Sequence, residues 1–140
     1  MMTQVLLLST LSLLVPVLDP YLSNRGLART LSSRAKPEEG IVVYGVSYEN
    51  MVQTLPFYLK RRVGVLGDPG ELQMGLSQSS DAGEWFAAEA GAEEALAKKP
   101  VGTWVVTNEE YAKRLGQTEL ADAFEPAGRE GRMLLLHKVR

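Results

Sequence analysis

The chain contains no cysteine and only one histidine in 140 residues. Without thiols there is no disulfide framework, no thiolate nucleophile and no cysteine-based zinc site, and the chain would tolerate an oxidising or a reducing compartment. A lone histidine has no partners at a recognisable metal-ligand spacing, so neither a metal nor a cofactor is expected. An excess of one charge is missing too, since fifteen Lys and Arg stand against seventeen Asp and Glu. No global field remains to gather nucleic acid, which is therefore not expected as a partner. Ionisable side chains are absent altogether from Met1 to Leu18. There is no internal repeat and no low-complexity tract.

That uncharged leader is the first positive feature. Its core, VLLLSTLSLLVPVL, is long for a signal peptide yet short of the roughly 20 residues a spanning helix needs. MMTQ carries no cation, and no small-x-small site precedes DPYLSNR, which argues against cleavage. Residues 1–20 are read as an apolar membrane-segment helix, with an uncleaved signal-like anchor and a buried core helix as alternatives. Pro16 would end or kink it near its exit. Residues 21–37 follow as an amphipathic linker helix: Ser23 is a suitable N-cap, Leu27 and Leu31 lie four apart, and Pro37 marks the stop. Its other face holds Arg25, Arg29, Arg34 and Lys36 with no acid among them, which suits anionic headgroups at a membrane surface or, equally, plain solvent.

Residues 38–140 read as one soluble α/β domain, within the usual size of about 100–150 residues. GIVVYG, RVGVLG and VGTWVVT are short apolar, β-branched runs of the kind that form buried strands. A short helix is expected over Gln53 to Leu59 with Pro56 in its first turn, where proline is tolerated, and with Phe57 and Tyr58 seating it on the sheet. Asp68-Pro69-Gly70 supplies turn chemistry. Asp81 opens a capping-box pattern, and Trp85, Ala88, Ala92 and Leu96 continue at helical spacing, so one helix is expected there, weakened at Gly91. Thr107 opens a second capping box before Tyr111 and Leu115, with Gly116 at the C-cap. DAFEPAGREGRMLLLHKV reads as a terminal hairpin. The fold class is therefore α/β: a small three-layer sandwich whose mainly parallel sheet ends in a C-terminal β-hairpin, preceded by an apolar N-terminal helix.

Catalytic signatures are weak. Gly45-Val-Ser47-Tyr-Glu49 resembles a nucleophile elbow without its last glycine, and His137, the single available base, falls inside the last strand. Gly70 and Gly75 have Walker spacing, but Leu76 occupies the lysine position. After the first strand a single glycine replaces G-x-G-x-x-G. The carboxylate pair Asp68 and Glu71 reads as turn chemistry, and Glu109 with Glu110 as acids complementing a helix N-terminus. No catalytic residue is assigned. Were the domain a small enzyme on a flavodoxin-like sheet, its site would lie near Ser47, Tyr48 and Thr107. Lys60, Arg61 and Arg62 form a cationic rim before the second strand. A guanidinium binds phosphate in bidentate fashion, so Arg61 and Arg62, together with Tyr58 and Glu71, are the candidates for contact with a lipid headgroup or lipid-linked phosphate; the alternative is that one of the arginines pairs with Glu71 or another acid of the domain.

FYLKRRV followed by GELQMGL, with YLSNRGLARTL after an apolar segment, resembles the C-terminal end of the aminoarabinose-transferase-like, protein-mannosyltransferase-related membrane glycosyltransferases. The matching positions are Tyr21, Ser23, Arg25, Leu27 and Ala28; Phe57, Tyr58, Leu59, Arg61 and Val63; and Gly70, Glu71 and Leu72. They are packing and turn residues rather than a catalytic signature. The resemblance implies a soluble α/β domain that follows the last membrane helix of an enzyme taking a sugar from a polyprenyl-phosphate donor, as in lipid A modification. The many membrane helices and the catalytic acid of the family's first outer loop are missing here. An accessory domain without its own bond-making groups is the expectation, partnered by membrane lipid, upstream transmembrane glycosyltransferase helices and a polyprenyl-phosphate sugar donor. A stand-alone membrane-anchored module for anionic lipid or a small phosphorylated ligand is the alternative. The resemblance implies the bacterial inner membrane with the soluble part periplasmic. The cations that follow the apolar segment would by themselves point to the cytoplasm; the resemblance is preferred, because upstream helices orient a last helix.

Overall fold

The computed structural model describes residues 24–45, 51–68, 76 and 78–140, with the backbone alone for 51–53. The predicted apolar helix of residues 1–20 lies outside the described residues, as do Ser23, Ser47, Tyr48, the Pro69-Gly70 turn and Glu71.

The three predicted core strands form, each shorter than its apolar run. They are β1 (Ile41–Tyr44), β2 (Gly64–Leu66) and β4 (Trp104–Thr107), and every residue in them is buried. Burial on both faces is what a continuous β-branched run allows in a parallel arrangement. β1 pairs in parallel with β2 and β4, with Val43 opposite Val65 and Val106. The expected hairpin is β5 (Phe124–Glu130) and β6 (Met133–Lys138), with an irregularity in register between Pro126 and Gly128. β6 inserts antiparallel against β4, placing Leu135 opposite Val106, and β5 forms the edge. A short strand that was not expected, β3 (Phe86–Ala87), pairs in parallel with β2 at the other edge. The six-stranded mixed sheet has the order β3-β2-β1-β4-β6-β5.

Helices cover both faces. α1 (Arg25–Arg34) and α2 (Met51–Leu59) contribute to one core, in which Leu27, Ala28, Leu31 and Leu55 meet Ile41, Val43, Trp104, Val106 and Leu135. The four-residue step from Leu27 to Leu31 therefore does what amphipathic spacing predicts. α1, set apart in the sequence as a linker helix, joins the same core as the first strand. On the opposite face α4 (Ala92–Ala97) and α5 (Glu109–Leu115) bury Ala92, Leu96 and Leu115 against Val42, Tyr44, Val105 and Leu136. The alternation of Val105 and Val106, and of Leu135 and Leu136, between the two cores follows the two-residue strand period.

Several local expectations are corrected. The single helix expected from Asp81 to Leu96 is broken into α3 (Ala82–Trp85), β3, a 3₁₀ turn (Glu89–Gly91) and α4. Pairing of Phe86 and Ala87 with β2 outweighs the helical spacing, which in an alanine-rich stretch is a weak preference. α1 starts from Asn24 rather than Ser23, and the Asn24 amide donates to Thr54 Oγ1 of α2 at 2.8 Å instead of capping its own helix. Pro56 sits in the interior of α2 rather than its first turn, because the helix begins at Met51. Asn108, not Thr107, caps α5: its side chain accepts from Tyr111 N, while Thr107 stays in β4 and donates to the Tyr44 carbonyl at 2.9 Å. Gly116 is the C-cap of α5, as expected. Tyr58 packs against the core, but Phe57 does not seat α2, being 76% exposed.

Candidate functional site

Two places were singled out by the sequence, the cationic rim before β2 and the C-terminal ends of the parallel strands. At the rim, Lys60 adopts a left-handed backbone (φ 52) directly after α2, which turns the chain toward β2. Arg61 then reaches back to the segment joining α1 to β1, where Nη1 donates to the Lys36 carbonyl at 3.0 Å and Nη2 to the Glu39 carbonyl. Its fork ties two backbone groups that would otherwise need water. Arg62 takes a different partner, Asp81 Oδ2 at 2.9 Å, with Glu84 at 4.0 Å. Arg62 thus has a domain acid as its partner, and the acid is Asp81.

Asp81 is itself well anchored. It accepts from Ser79 Oγ and lies 3.5 Å from the Trp85 indole nitrogen. The Ser79 hydroxyl, then Trp85, then Arg62 hold its carboxyl below the usual aspartate range. A cleft of about 260 Å³ opens beside the pair, lined also by Pro56, Val63 and Val65. It offers an indole, a carboxylate and a guanidinium whose charges offset each other.

The remaining cations divide. The Arg25 guanidinium lies over the Tyr58 ring at 6.0 Å, and Tyr58 meets Phe57 edge-on at 5.5 Å. Arg34 donates to the Ala127 carbonyl of β5, and Lys36 lies 3.9 Å from Glu39. Arg29 is exposed and makes no ion pair among the described residues. Glu39 accepts from the Trp104 indole at 2.8 Å and from Lys36 N at 3.0 Å, and these bonds, the indole first, hold its carboxyl low.

The strand ends tell a different story. The topological switch of this sheet lies between β1 and β4, where an open α/β fold ordinarily binds its ligand. Here the Tyr111 ring occupies that ground. A Cβ on Gly45 would stand 2.1 Å from the Tyr111 ring, and Gly45 also has a positive φ of 69°. Glycine is required twice over at that position. Tyr44 lies edge-on to Tyr111 at 5.6 Å and donates to Glu93 Oε1 at 3.2 Å. Burial, and next the neighbouring Glu93 carboxylate, push the Tyr44 phenol up to about 12. Arg114 closes the cluster with Glu89 at 3.1 Å and Glu93 at 3.2 Å. Thr107, a candidate for a flavodoxin-like site, is fully buried and committed to the Tyr44 carbonyl.

His137 is a strand residue as expected, in β6, its ring tilted at 42° against Trp104 with centroids 4.8 Å apart. Its Nε2 is buried without a hydrogen-bond partner among the described residues. Lys138, next to it, drew no attention in the sequence and turns out to be structural. Its buried ammonium donates to the carbonyls of Leu96 at 3.3 Å and of Ala97 and Lys99 at 2.6 Å each, where α4 ends. A cation there complements the helix dipole, while burial lowers the Lys138 pKa. The one signal available was a lysine closing a mostly apolar strand. Among the described residues no three His, Asp or Glu side chains converge as metal ligands, and no helix is long and apolar enough to cross a membrane.

Similarity to known proteins agrees with this architecture. Residues 27–124 match the family model of the aminoarabinose transferase C-terminal domain. Two solved structures share the fold: ArnT from Cupriavidus metallidurans in the apo state, at 19% identity and a TM-score of 0.61, and ArnT from the same organism bound to undecaprenyl phosphate, at 18% and 0.62. Each match covers 84% of this chain and 20% of the ArnT chain, so this sequence spans about one fifth of the length of those proteins. No curated protein matches. With the matched span running from α1 to the start of β5, the chain belongs to the aminoarabinose transferase C-terminal domain family.

Proposed function

We propose that this chain acts as the C-terminal domain of an ArnT-like membrane glycosyltransferase, one that takes its sugar from a polyprenyl-phosphate donor and modifies a lipid A-like acceptor. In this reading the domain stands on the periplasmic face of the bacterial inner membrane and covers a catalytic centre built by membrane helices from elsewhere. It supplies shape and positive charge rather than bond-making groups. The observation that carries the reading is the family match over residues 27–124 joined to a switch point filled by Tyr111 on Gly45. The ArnT structure holding undecaprenyl phosphate supports a lipid-linked donor. Expressed alone, the chain is expected to transfer no sugar from a polyprenyl-phosphate donor, and joining it to the membrane part of an ArnT-like enzyme lacking its own C-terminal domain should restore transfer. Turnover by the chain alone would overturn the reading.

A second reading, a stand-alone membrane-anchored module for anionic lipid, draws on Arg29 and on the absence of any acid from α1 and α2. In the same transfer assay it predicts no restoration, with vesicle binding that weakens as salt rises.

A further inference from the structure

Phe57 is 76% exposed, whereas Tyr58 beside it packs on the core. A single exposed apolar residue is ordinary on a protein surface, so its surroundings decide whether it has a use. Three things stand around it. Neither α1 (RGLARTLSSR) nor α2 (MVQTLPFYL) contains an acid. Arg25, Tyr58 and Phe57 form a continuous contact, guanidinium over ring and ring against ring, and exposed Lys60 follows directly after α2. Finally, Asn24, where the described chain starts, is bonded to Thr54, which lies three residues from Phe57 on one face of α2. Met1–Leu18, without an ionisable side chain, joins the domain at that point through residues 19–23.

We infer that Phe57 is an interfacial anchor that enters the headgroup region of an anionic bilayer, with Arg25, Arg29 and Lys60 meeting the lipid phosphates. The chemistry favours lipid over a protein partner. Neither helix supplies a carboxylate of its own, and the acid that reaches α1, Glu130, is bonded to Thr30 Oγ1 at 2.8 Å; exposed cations so placed suit a diffuse anionic surface, and an aromatic among them is the pattern of an interfacial segment. The inference rests on the membrane reading above and names the face that meets the bilayer.

Because the chain has no cysteine, single labels report cleanly. The full chain is reconstituted into vesicles containing about one phosphatidylglycerol for every three phosphatidylcholines, with a fluorophore on Phe57→Cys, on Lys60→Cys with Phe57 kept, or on Lys113→Cys. Lys113 is exposed on α5, across the sheet. Quenching by nitroxide lipids is expected to be several-fold stronger at positions 57 and 60 than at 113, and to fall when Arg25 and Arg29 are replaced by glutamine. Quenching by aqueous iodide at 57 and 60 as strong as at 113 overturns the inference, and so does shielding from both quenchers, which would mean a protein contact. A vesicle-bound chain with a water-exposed position 57 sinks this inference alone. A chain that stays unbound sinks the membrane reading with it.

Discussion

The two helical layers cover one sheet yet differ in the acids their own helices carry. Around α4 and α5 cations meet carboxylates or carbonyls: Arg114 spans Glu89 and Glu93, Lys98 meets Glu94 at 2.6 Å, Arg129 meets Glu109, and the Lys138 ammonium ends α4. Across the sheet, α1 and α2 carry no acid, and Arg29 stays exposed beside an arginine stacked on tyrosine. Other cations around that layer bind backbone, as Arg61 and Arg34 do, or carboxylates, as Arg62 does with Asp81 and Lys36 with Glu39. One layer is locally neutral and closed over the switch point. The other leaves Arg29 and Phe57 exposed.

The largest effect should come from reopening the closed layer. Gly45→Val places a side chain into the Tyr111 ring at a left-handed backbone position. Overpacking alone costs about 1–3 kcal/mol, and the backbone strain adds to it. Urea unfolding should show the loss, and a second change, Tyr111→Ala, should return part of it. If Gly45→Val unfolds at the wild-type midpoint, the switch point is not filled as described.

Next comes Arg61→Ala on the other layer, where two carbonyls lose a charged donor; about 1–3 kcal/mol is expected from chemical denaturation. Arg61→Lys should not rescue, because an ammonium cannot span both carbonyls with a fixed fork. Full rescue by lysine would reduce Arg61 to a point charge.

A pH series separates the layers further. The Tyr44 phenol is raised from 10.0 to about 12, by burial first and Glu93 second. Its neutral form therefore contributes stability that is complete below pH 10 and is lost as pH climbs through 12, since the unfolded chain releases that proton earlier. In Tyr44→Phe the alkaline decline over this window should be shallower when followed by circular dichroism. An unchanged decline would remove Tyr44 from the account.

The smallest effects are expected from single surface charges. Arg114→Ala breaks two exposed ion pairs and should lower the thermal midpoint only slightly, as exposed pairs do. Arg29→Ala should leave it unchanged. A clear loss at Arg29 would mean that the α1 layer is not holding its charge for an outside partner.

Much of the sheet could be read from runs of valine, isoleucine and leucine between glycines, because a strand buried on both faces leaves an unbroken apolar signature. The hairpin and the Gly116 cap were equally plain. β3 was not, since Trp85, Ala88, Ala92 and Leu96 keep helical spacing and only the nearby edge of β2 recruits Phe86 and Ala87. Of the candidate site, the cations were legible and their destinations were not. Arg61 ends on the carbonyls of Lys36 and Glu39, groups every residue possesses, so no side-chain pattern announces them. Phe57 and Tyr58 are neighbours with the same apolar character, and it is the direction each takes from α2 that leaves one on the core and the other in the open.

The strand order has a consequence for how the sheet is held together. β6 follows every other strand in the chain, yet it lies in the interior of the sheet between β4 and β5. β5 is held in the sheet through β6, which also covers the edge of β4 at Val106. Displacing β6 from β4 would therefore detach two strands at once and bare an apolar edge.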